Sequence, residues 1–213
     1  MQITVIGAAG MVGSRVVAEA AARGHEVTAV VRDEARAADL PEGVRVRTGD
    51  ASDVAEVTRL GTGQDVVVAA TRPPAGREDE LVTTTKALLA GIVGTGARLL
   101  VVGGAGSLTV PGSGGRLEAE DPDLVGPEYR AIARAGVHQL AACRAAADVD
   151  WAYLSPPAEL RPGTRTGRYR RGGDELLIDA AGRSAISVED LAVALLDEVE
   201  APVHRRARFT VAY

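Results

Sequence analysis

Three glycines at three-residue spacing carry the strongest chemical signal in the sequence. Gly7, Gly10 and Gly13 lie between a β-branched run and an apolar run with helical periodicity. A strand, a tight glycine turn and a helix in this order place backbone N–H groups where a pyrophosphate can bind. Gly7 permits the turn, Gly10 lets phosphates approach the backbone, and Gly13 lets the helix pack close to the strand. The segment therefore predicts a dinucleotide site, to which we assign Gly7, Ala9, Gly10, Met11, Val12 and Gly13.

An arginine follows the second predicted strand and bears on which nucleotide binds. Arg32 comes directly after the run 26–31, where a dinucleotide-binding sheet meets the adenosine ribose. An acidic residue there would bind the 2′-hydroxyl of NAD, whereas arginine suits the 2′-phosphate of NADP. Asp33 is next in the chain, so NAD stays possible. NADP is favoured because the arginine comes first.

Alternating apolar runs and helical patterns predict the elements that position these residues. Strands are expected over 2–6, 26–31, 44–48, 65–70, 98–103 and 150–155, and helices over 11–23, from Asp53, over 78–94 and over 127–147. The central strands are continuous apolar runs, as in a parallel sheet covered on both faces. The chain thus predicts one α/β domain over 1–213, a doubly wound parallel (Rossmann) sheet with its ligand at the carboxyl edge.

Two segments interrupt the alternation. Residues 104–126 are rich in glycine, proline and acidic residues, which indicates an ordered loop or lid over the sheet edge. Residues 156–213 are predicted to form a small C-terminal lobe that covers the substrate site. Within this lobe we expect a hairpin of 169–174 with 175–179, a helix capped by Ser187, and a last strand over 209–213.

Composition excludes several classes of protein. The net charge is −5 and no basic patch stands out, so nucleic acid is not an expected partner. Cys143 is the only cysteine and the three histidines are scattered, so we expect neither a disulfide nor a protein metal site. No apolar run reaches the ~18 residues of a membrane span. The chain begins with a core strand, which leaves no room for a signal peptide, so a cytoplasmic location without a membrane partner is expected.

The whole chain resembles the atypical short-chain dehydrogenase/reductases. Within them it is similar to bacterial NAD(P)H-binding proteins often named NADH–flavin reductases, and more distantly to biliverdin reductase, through Pro156-Pro157. The segments that carry the resemblance are 7–13, 101–108, 150–157, 162–169, 186–192 and 208–213.

The resemblance implies further cofactor contacts. Asp50 is expected to reach the adenine amino group, although it could instead be a helix-entry residue, and Ala51 beside it is a further expected cofactor contact. Pro156 is expected to pack against the nicotinamide, or simply to end its strand. The remaining implied contacts are at the ends of the fourth and fifth strands: Ala69, Ala70, Thr71, Gly103, Gly104 and Ser107.

A missing residue pair limits the reaction type. Short-chain dehydrogenases usually carry Tyr-x-x-x-Lys, in which the tyrosine gives a proton to a carbonyl oxygen, but Lys86 is the only lysine here and cannot complete it. A simple ketone would need such a donor, whereas a flavin or quinone spreads the incoming charge and can take its proton from solvent. We therefore predict hydride transfer from NADPH to a conjugated small-molecule acceptor.

Four polar residues are candidates near the reacting atoms. Ser107 could hold the carboxamide or the acceptor, or cap its own loop. Tyr129 and His138 belong to the predicted helix 127–147, where packing or solvation competes with a catalytic role. Tyr169 is expected to line the acceptor pocket.

Two other functions stay open at this stage. One is a biosynthetic reductase or epimerase that acts on a specific carbonyl or imine, which a narrow polar pocket under 104–126 would favour. The other is a non-catalytic NADP sensor of the NmrA type, which a sealed nicotinamide face would favour. A dimer is common for this fold, but the sequence carries no marker of the oligomeric state.

Overall fold

The computed structural model describes all 213 residues. Ten strands and five helices alternate along most of the chain. They are β1 (Gln2–Ile6), α1 (Met11–Ala22), β2 (Glu26–Val31), β3 (Arg45–Thr48), α2 (Val54–Gly61), β4 (Val66–Ala69), α3 (Glu80–Ile92), β5 (Arg98–Val102), α4 (Arg130–Ala145), β6 (Trp151–Ser155), β7 (Glu159–Arg161), β8 (Arg170–Gly172), β9 (Ala185–Ser187), α5 (Val188–Glu200) and β10 (Ala207–Ala212).

One eight-stranded sheet forms the centre of the molecule, in the order β3-β2-β1-β4-β5-β6-β10-β8. All pairs are parallel except β10 with β8. The chain leaves β1 toward β2 on one side and returns through β4 on the other, so the strand order reverses between β1 and β4. This arrangement confirms the predicted doubly wound sheet, and the reversal is where such sheets open a crevice for ligand.

Each face of the sheet has its own apolar core. Side chains alternate across each strand, so Ile3 and Val5 of β1 pack with α1 and α5, whereas Ile6 packs with α2, α3 and α4. The largest buried side chains, Trp151 and Tyr153, lie in the second core. Helices on both faces explain why the central strands are continuous apolar runs.

The C-terminal part of the chain departs from the prediction. The expected hairpin of 169–174 with 175–179 is wrong, because β8 pairs antiparallel with β10 and residues 175–179 form no strand. β10 joins the main sheet beside β6, which leaves its other edge free for β8. Ser187 caps α5 as predicted, since its Oγ accepts from the Asp190 N–H at 3.0 Å.

Residues 156–213 therefore serve two purposes. α5 packs against α1 and β10 extends the sheet, so most of this segment completes the doubly wound architecture. The part that borders the carboxyl edge is confined to 156–161. None of the five helices is both long and apolar enough to traverse a bilayer.

The connection over 104–126 is folded back on itself. Thr109 bridges to Leu117, and short 3₁₀ turns form at Ala105–Ser107 and Glu118–Glu120. The Glu118 N–H donates to the Leu108 carbonyl at 2.8 Å, which joins the two turns. The segment is thus an ordered loop that begins at the carboxyl end of β5.

Candidate functional site

A cavity of about 1080 Å³ follows the carboxyl edge of the sheet. It crosses the point where the strand order reverses, and it extends from the ends of β2 and β3 to the segment after β6. We call this cavity the cleft. Its position is the one at which open α/β sheets bind their ligands.

The glycine turn packs too tightly for side chains. Gly7 has φ +84°, and a Cβ on it would collide with the Ala70 carbonyl oxygen. A Cβ on Gly13 would collide with the Gly7 carbonyl oxygen, whereas one on Gly10 would lie 3.2 Å from that oxygen. Gly7 and Gly13 are therefore required by the turn itself, and Gly10 is the more permissive of the three.

The start of α1 is an anion-binding end of a helix. Gly10 is its N-cap, no side chain caps it, and its first turn contains no acidic residue. The backbone N–H groups of Met11, Val12 and Gly13 find no acceptor within the protein. Unpaired N–H groups together with the helix dipole favour a phosphate at this point.

Two arginines line the β2 end of the cleft. Arg32 and Arg36 border the cavity, and neither forms an ion pair or a side-chain hydrogen bond. Asp33 does not line the cavity, because its carboxylate caps the next turn by accepting from the Ala35 N–H at 3.0 Å. The charge that this end of the cleft offers to a ligand is therefore positive.

Asp50 adds a fixed carboxylate at the end of β3. Its Oδ1 accepts from the Ser52 N–H at 2.8 Å and from the Ser52 hydroxyl at 2.7 Å. The Ser52 N–H, followed by the hydroxyl, lowers the pKa of Asp50. Asp50 lines the cleft, and its second oxygen is available to a donor such as an amino group.

The β5 end of the cleft is shaped by Tyr153. A Cβ on Gly103 would collide with the Tyr153 ring, so glycine is needed there for packing. The Tyr153 hydroxyl donates to Gln139 Oε1 at 2.9 Å, and burial raises the pKa of Tyr153 above its ordinary value. No atom lies within 4 Å of the position that a Cβ on Gly104 would take, so the missing side chain leaves this part of the cleft open.

Most residues predicted for the nucleotide line the cleft. Three do not: Gly13 and Ala69 lie just beneath its wall, as buried parts of α1 and β4, and Ser107 is buried next to the lining residue Gly106. The predicted residues that line it are Gly7, Ala9, Gly10, Met11, Val12, Arg32, Asp50, Ala51, Ala70, Thr71, Gly103, Gly104 and Pro156.

The structure separates the four catalytic candidates. Tyr129 lies at the rim of the cleft and is 54% exposed. Ser107 is buried behind the lining residue Gly106, and its hydroxyl has no hydrogen-bond partner.

His138 and Tyr169 do not line the cleft, so the structure does not bring these two candidates to the acceptor end. His138 borders a separate groove of about 830 Å³ between α3 and α4, together with Lys86. Helical periodicity points it away from the cleft-facing residues Gly136 and Gln139. The Tyr169 hydroxyl bonds to Asp197 on α5, so its ring packs there and does not line the cleft.

Glu118 is a residue of the cleft that the sequence did not reveal. It lines the cavity but is only 5% exposed, and its carboxyl accepts no hydrogen bond from the protein. Burial, and secondarily the charge of Asp121, raises the pKa of Glu118 to about 7. No spacing marked it, because it is one of several acidic residues in an irregular connection.

These features define a Rossmann-type nucleotide-binding protein. The chain belongs to the NAD(P)H-binding family, whose sequence profile matches residues 7–202. It is 37% identical to the uncharacterized protein YwnB of Bacillus subtilis (strain 168), over 99% of this chain and 98% of that protein.

Two solved structures show the same fold over the full chain. A Bacteroides thetaiotaomicron protein provisionally described as an epimerase is 39% identical, with a TM-score of 0.90 over 100% of this chain and 96% of its own. A Streptococcus pneumoniae protein provisionally named an NADH-flavin reductase is 30% identical, with a TM-score of 0.88 over 100% and 99%.

The residues present fit a nicotinamide nucleotide. The free N–H groups at the start of α1 suit its pyrophosphate, and the glycine turn leaves no side chain in the way. Asp50 and the two arginines lie on the β2–β3 side, where the adenosine half binds in such sheets. A nucleotide bound in this way would place its nicotinamide on the β5–β6 side.

Proposed function

We propose that the protein is an NADPH-preferring oxidoreductase that passes a hydride to a conjugated acceptor such as a flavin or a quinone. The observation that carries this proposal is the form of the β5–β6 end of the cleft. It is open at Gly104 and its walls are largely apolar. The apolar side chains there belong to Val102, Leu124, Val125, Ile132, Pro156 and Pro157.

The preference for NADPH is inferred from the opposite end. Arg32 and Arg36 line the cleft without partners, whereas the carboxylate of Asp33 is occupied as a helix cap. A guanidinium binds a 2′-phosphate through charge-assisted hydrogen bonds, and a nearby free carboxylate would repel it.

The acceptor class is inferred from the proton chemistry. Lys86 borders the groove between α3 and α4, so it is not available to lower the pKa of Tyr129 at the cleft rim. A conjugated ring delocalises the charge that a hydride brings and so depends less on a strong acid. A flat ring system also suits apolar walls, which exclude water from the transfer.

A second function is favoured by one observation. Glu118 is a buried carboxyl at the acceptor end, and such a group suits a carbonyl or imine substrate that needs an acid. The epimerase description of the Bacteroides relative is consistent with a substrate of that kind. A biosynthetic reductase or epimerase is therefore our alternative.

Steady-state oxidation of NADPH and NADH tests the proposal. Purified protein is offered FMN, riboflavin and a simple quinone, and the loss of reduced-nicotinamide absorbance is followed. The proposal expects saturable oxidation with at least one acceptor and a higher kcat/KM for NADPH. Tight nucleotide binding without oxidation would instead favour the NADP-sensing alternative, and oxidation only with specific carbonyl compounds would favour the biosynthetic one.

A further inference from the structure

The connection between β5 and α4 carries one carboxyl into the acceptor end of the cleft. Glu118 lies in the turn Glu118–Glu120, and its N–H is bonded to the Leu108 carbonyl. The turn Ala105–Ser107 and helix α4 pack against this turn, which holds it in place. Glu118 is therefore a fixed part of the cleft wall.

Glu118 differs from the other carboxylates of the cleft in having no partner. It is 5% exposed, no arginine or lysine forms an ion pair with it, and no donor bonds to its carboxyl. Its remaining exposure is toward the cavity that it lines. The other lining carboxylates are all partnered: Glu80 by Arg77, Glu159 by Arg161, and Asp50 by Ser52.

The groups around Glu118 favour its neutral form. Asp121 belongs to the same connection and contributes a like charge, and its own partner is Arg116 at 2.6 Å. The turn Ala105–Ser107 contains no titratable side chain, and the only titratable residue that α4 and its preceding turn present to the cleft is Tyr129. Nothing in these elements supplies a cation that would hold Glu118 as a carboxylate.

The cations of the cleft belong to other segments. Arg32 and Arg36 line its β2 end, and Arg72 and the paired Arg77 line it from the β4–α3 connection. Arg161 lines it from β7 and is paired with Glu159 at 2.8 Å. None of these side chains bonds to Glu118, so a carboxylic acid there has an O–H that only a ligand or water can accept.

We propose that Glu118 is a catalytic acid that donates its proton to the hydride acceptor, an inference that rests on the proposed function. The acceptor is then a compound in which a carbonyl oxygen or ring nitrogen is conjugated to the atom that takes the hydride. A nicotinamide nucleotide bound in the cleft would supply the hydride, which would bring two electrons and leave the acceptor with one excess negative charge. The Glu118 O–H bond breaks as an O–H or N–H bond forms on the acceptor, and the carboxylate then regains a proton from bulk solvent through water in the cleft.

Single-turnover oxidation of NADPH by a quinone in Glu118→Gln tests this role. The amide has the size of the acid but no proton to give, so the rate at about pH 6 is expected to fall by about tenfold. This is less than the roughly 100-fold effect of an acid on a simple carbonyl, because a conjugated acceptor can also take its proton from solvent. The wild-type rate should decline above about pH 7 as the acid ionises, whereas the variant rate should not depend on pH in that range.

Glu120→Gln is the matched control. Glu120 lies two residues further on in the same turn, is exposed, and accepts from the Leu117 N–H through an oxygen that glutamine retains. Its rate and pH profile should equal those of the wild type. NADPH affinity, measured by fluorescence titration, should be the same in all three proteins, because Glu118 faces the acceptor.

A second readout does not depend on turnover. Carbon-13 NMR of protein labelled at the glutamate carboxyls should show one signal that Glu118→Gln lacks and that titrates near pH 7. Titration of this signal in the ordinary range, near 4.5, would overturn the proposal because the group would then be a carboxylate at working pH. Glu118→Asp, which keeps an acid, should retain the pH dependence at a lower rate.

The outcomes separate this inference from the proposed function. Equal rates and equal pH profiles for wild type and Glu118→Gln would rule out Glu118 as the acid, and the proposed reductase activity would be unaffected by that result. If wild type and variants all bind the nucleotide but none oxidises it, the proposed function is wrong, and the acid role of Glu118 is then wrong as well.

Discussion

The β2–β3 end of the cleft is made of strand ends and backbone groups, whereas the β5–β6 end is bordered by a long connection and is open at Gly104. At the first end the features offered to a ligand are free N–H groups at the start of α1, two unpaired arginines and a fixed Asp50. At the second end they are apolar side chains and the partnerless carboxyl of Glu118. One end is thus suited to recognise charge, and the other to exclude water around a reacting atom.

This difference assigns the two halves of the proposed reaction to different parts of the chain. The nucleotide half depends on the glycine turn, whose tight backbone packing requires glycine at positions 7 and 13. The proposed acceptor half depends on the connection 104–126, which lies outside the strands of the sheet. Perturbing each half should therefore have separable effects, and four tests follow, in order of expected size.

Gly10→Asp should produce the largest effect, a loss of NADPH affinity of about 100-fold or ~3 kcal/mol. The new carboxylate would stand at the start of α1, where it would repel the pyrophosphate and occupy the free N–H groups. Isothermal titration calorimetry measures the change. Gly10→Asn is the control, because the amide has the size of the carboxylate but no charge, so it should lose less affinity than Gly10→Asp.

Glu118→Gln should change how stability depends on pH. Below pH 4.5 the acid is neutral in both folded and unfolded chains, whereas above about pH 7 the folded protein must bury a carboxylate. The wild type should therefore lose about 3 kcal/mol of unfolding free energy relative to the variant as pH rises between these values. Urea denaturation at several pH values tests this, and parallel curves for the two proteins would contradict the assigned environment of Glu118.

The double variant Arg32→Ala, Arg36→Ala should weaken NADPH binding by about tenfold and leave NADH binding unchanged. Both guanidinium groups are exposed, so each contributes less than a buried pair would. Arg45→Ala provides a control, since Arg45 is exposed on β3 and does not line the cleft. An equal loss of affinity for NADPH and NADH would show that the arginines do not bind the 2′-phosphate.

Tyr169→Phe should have the smallest effect. The hydroxyl bonds to Asp197 and accepts from Arg171 at 2.9 Å, away from the cleft, so its removal should cost about 1 kcal/mol of stability. Acceptor turnover should be unchanged. A large fall in kcat in a folded variant would show that Tyr169 acts at the acceptor site, and would contradict its placement away from the cleft.

The sheet could be predicted because its signals are local. Continuous apolar runs indicated the central strands, and Ser187 indicated the start of α5. The partner of β8 could not be predicted in the same way, since it depends on which edge of β10 is left free once β10 pairs with β6. Pairing across about forty residues is set by the assembled sheet and not by the turn next to the strand.

The site residues show the same distinction between signals that are local in the sequence and those set by the assembled fold. Gly7, Arg32 and Asp50 follow predicted strands, so their place at the sheet edge could be derived from their position in the sequence. Glu118 and His138 could not be assigned, because a loop's path and a helix's rotation decide which side chains face the cleft. The assignment of Tyr169 failed for a related reason, since its partner Asp197 is distant in the chain.

The most direct test of the account is a single-turnover experiment with NADPH deuterated at the transferable position of the nicotinamide. The protein is mixed with this nucleotide and with FMN or a quinone, and oxidation is compared with that of unlabelled NADPH. If the cleft brings nicotinamide and acceptor together for hydride transfer, oxidation should be rapid and slower with deuterium. Tightly bound NADPH that persists with every acceptor would contradict the account and identify the cleft as a nucleotide sensor or the site of a different reaction.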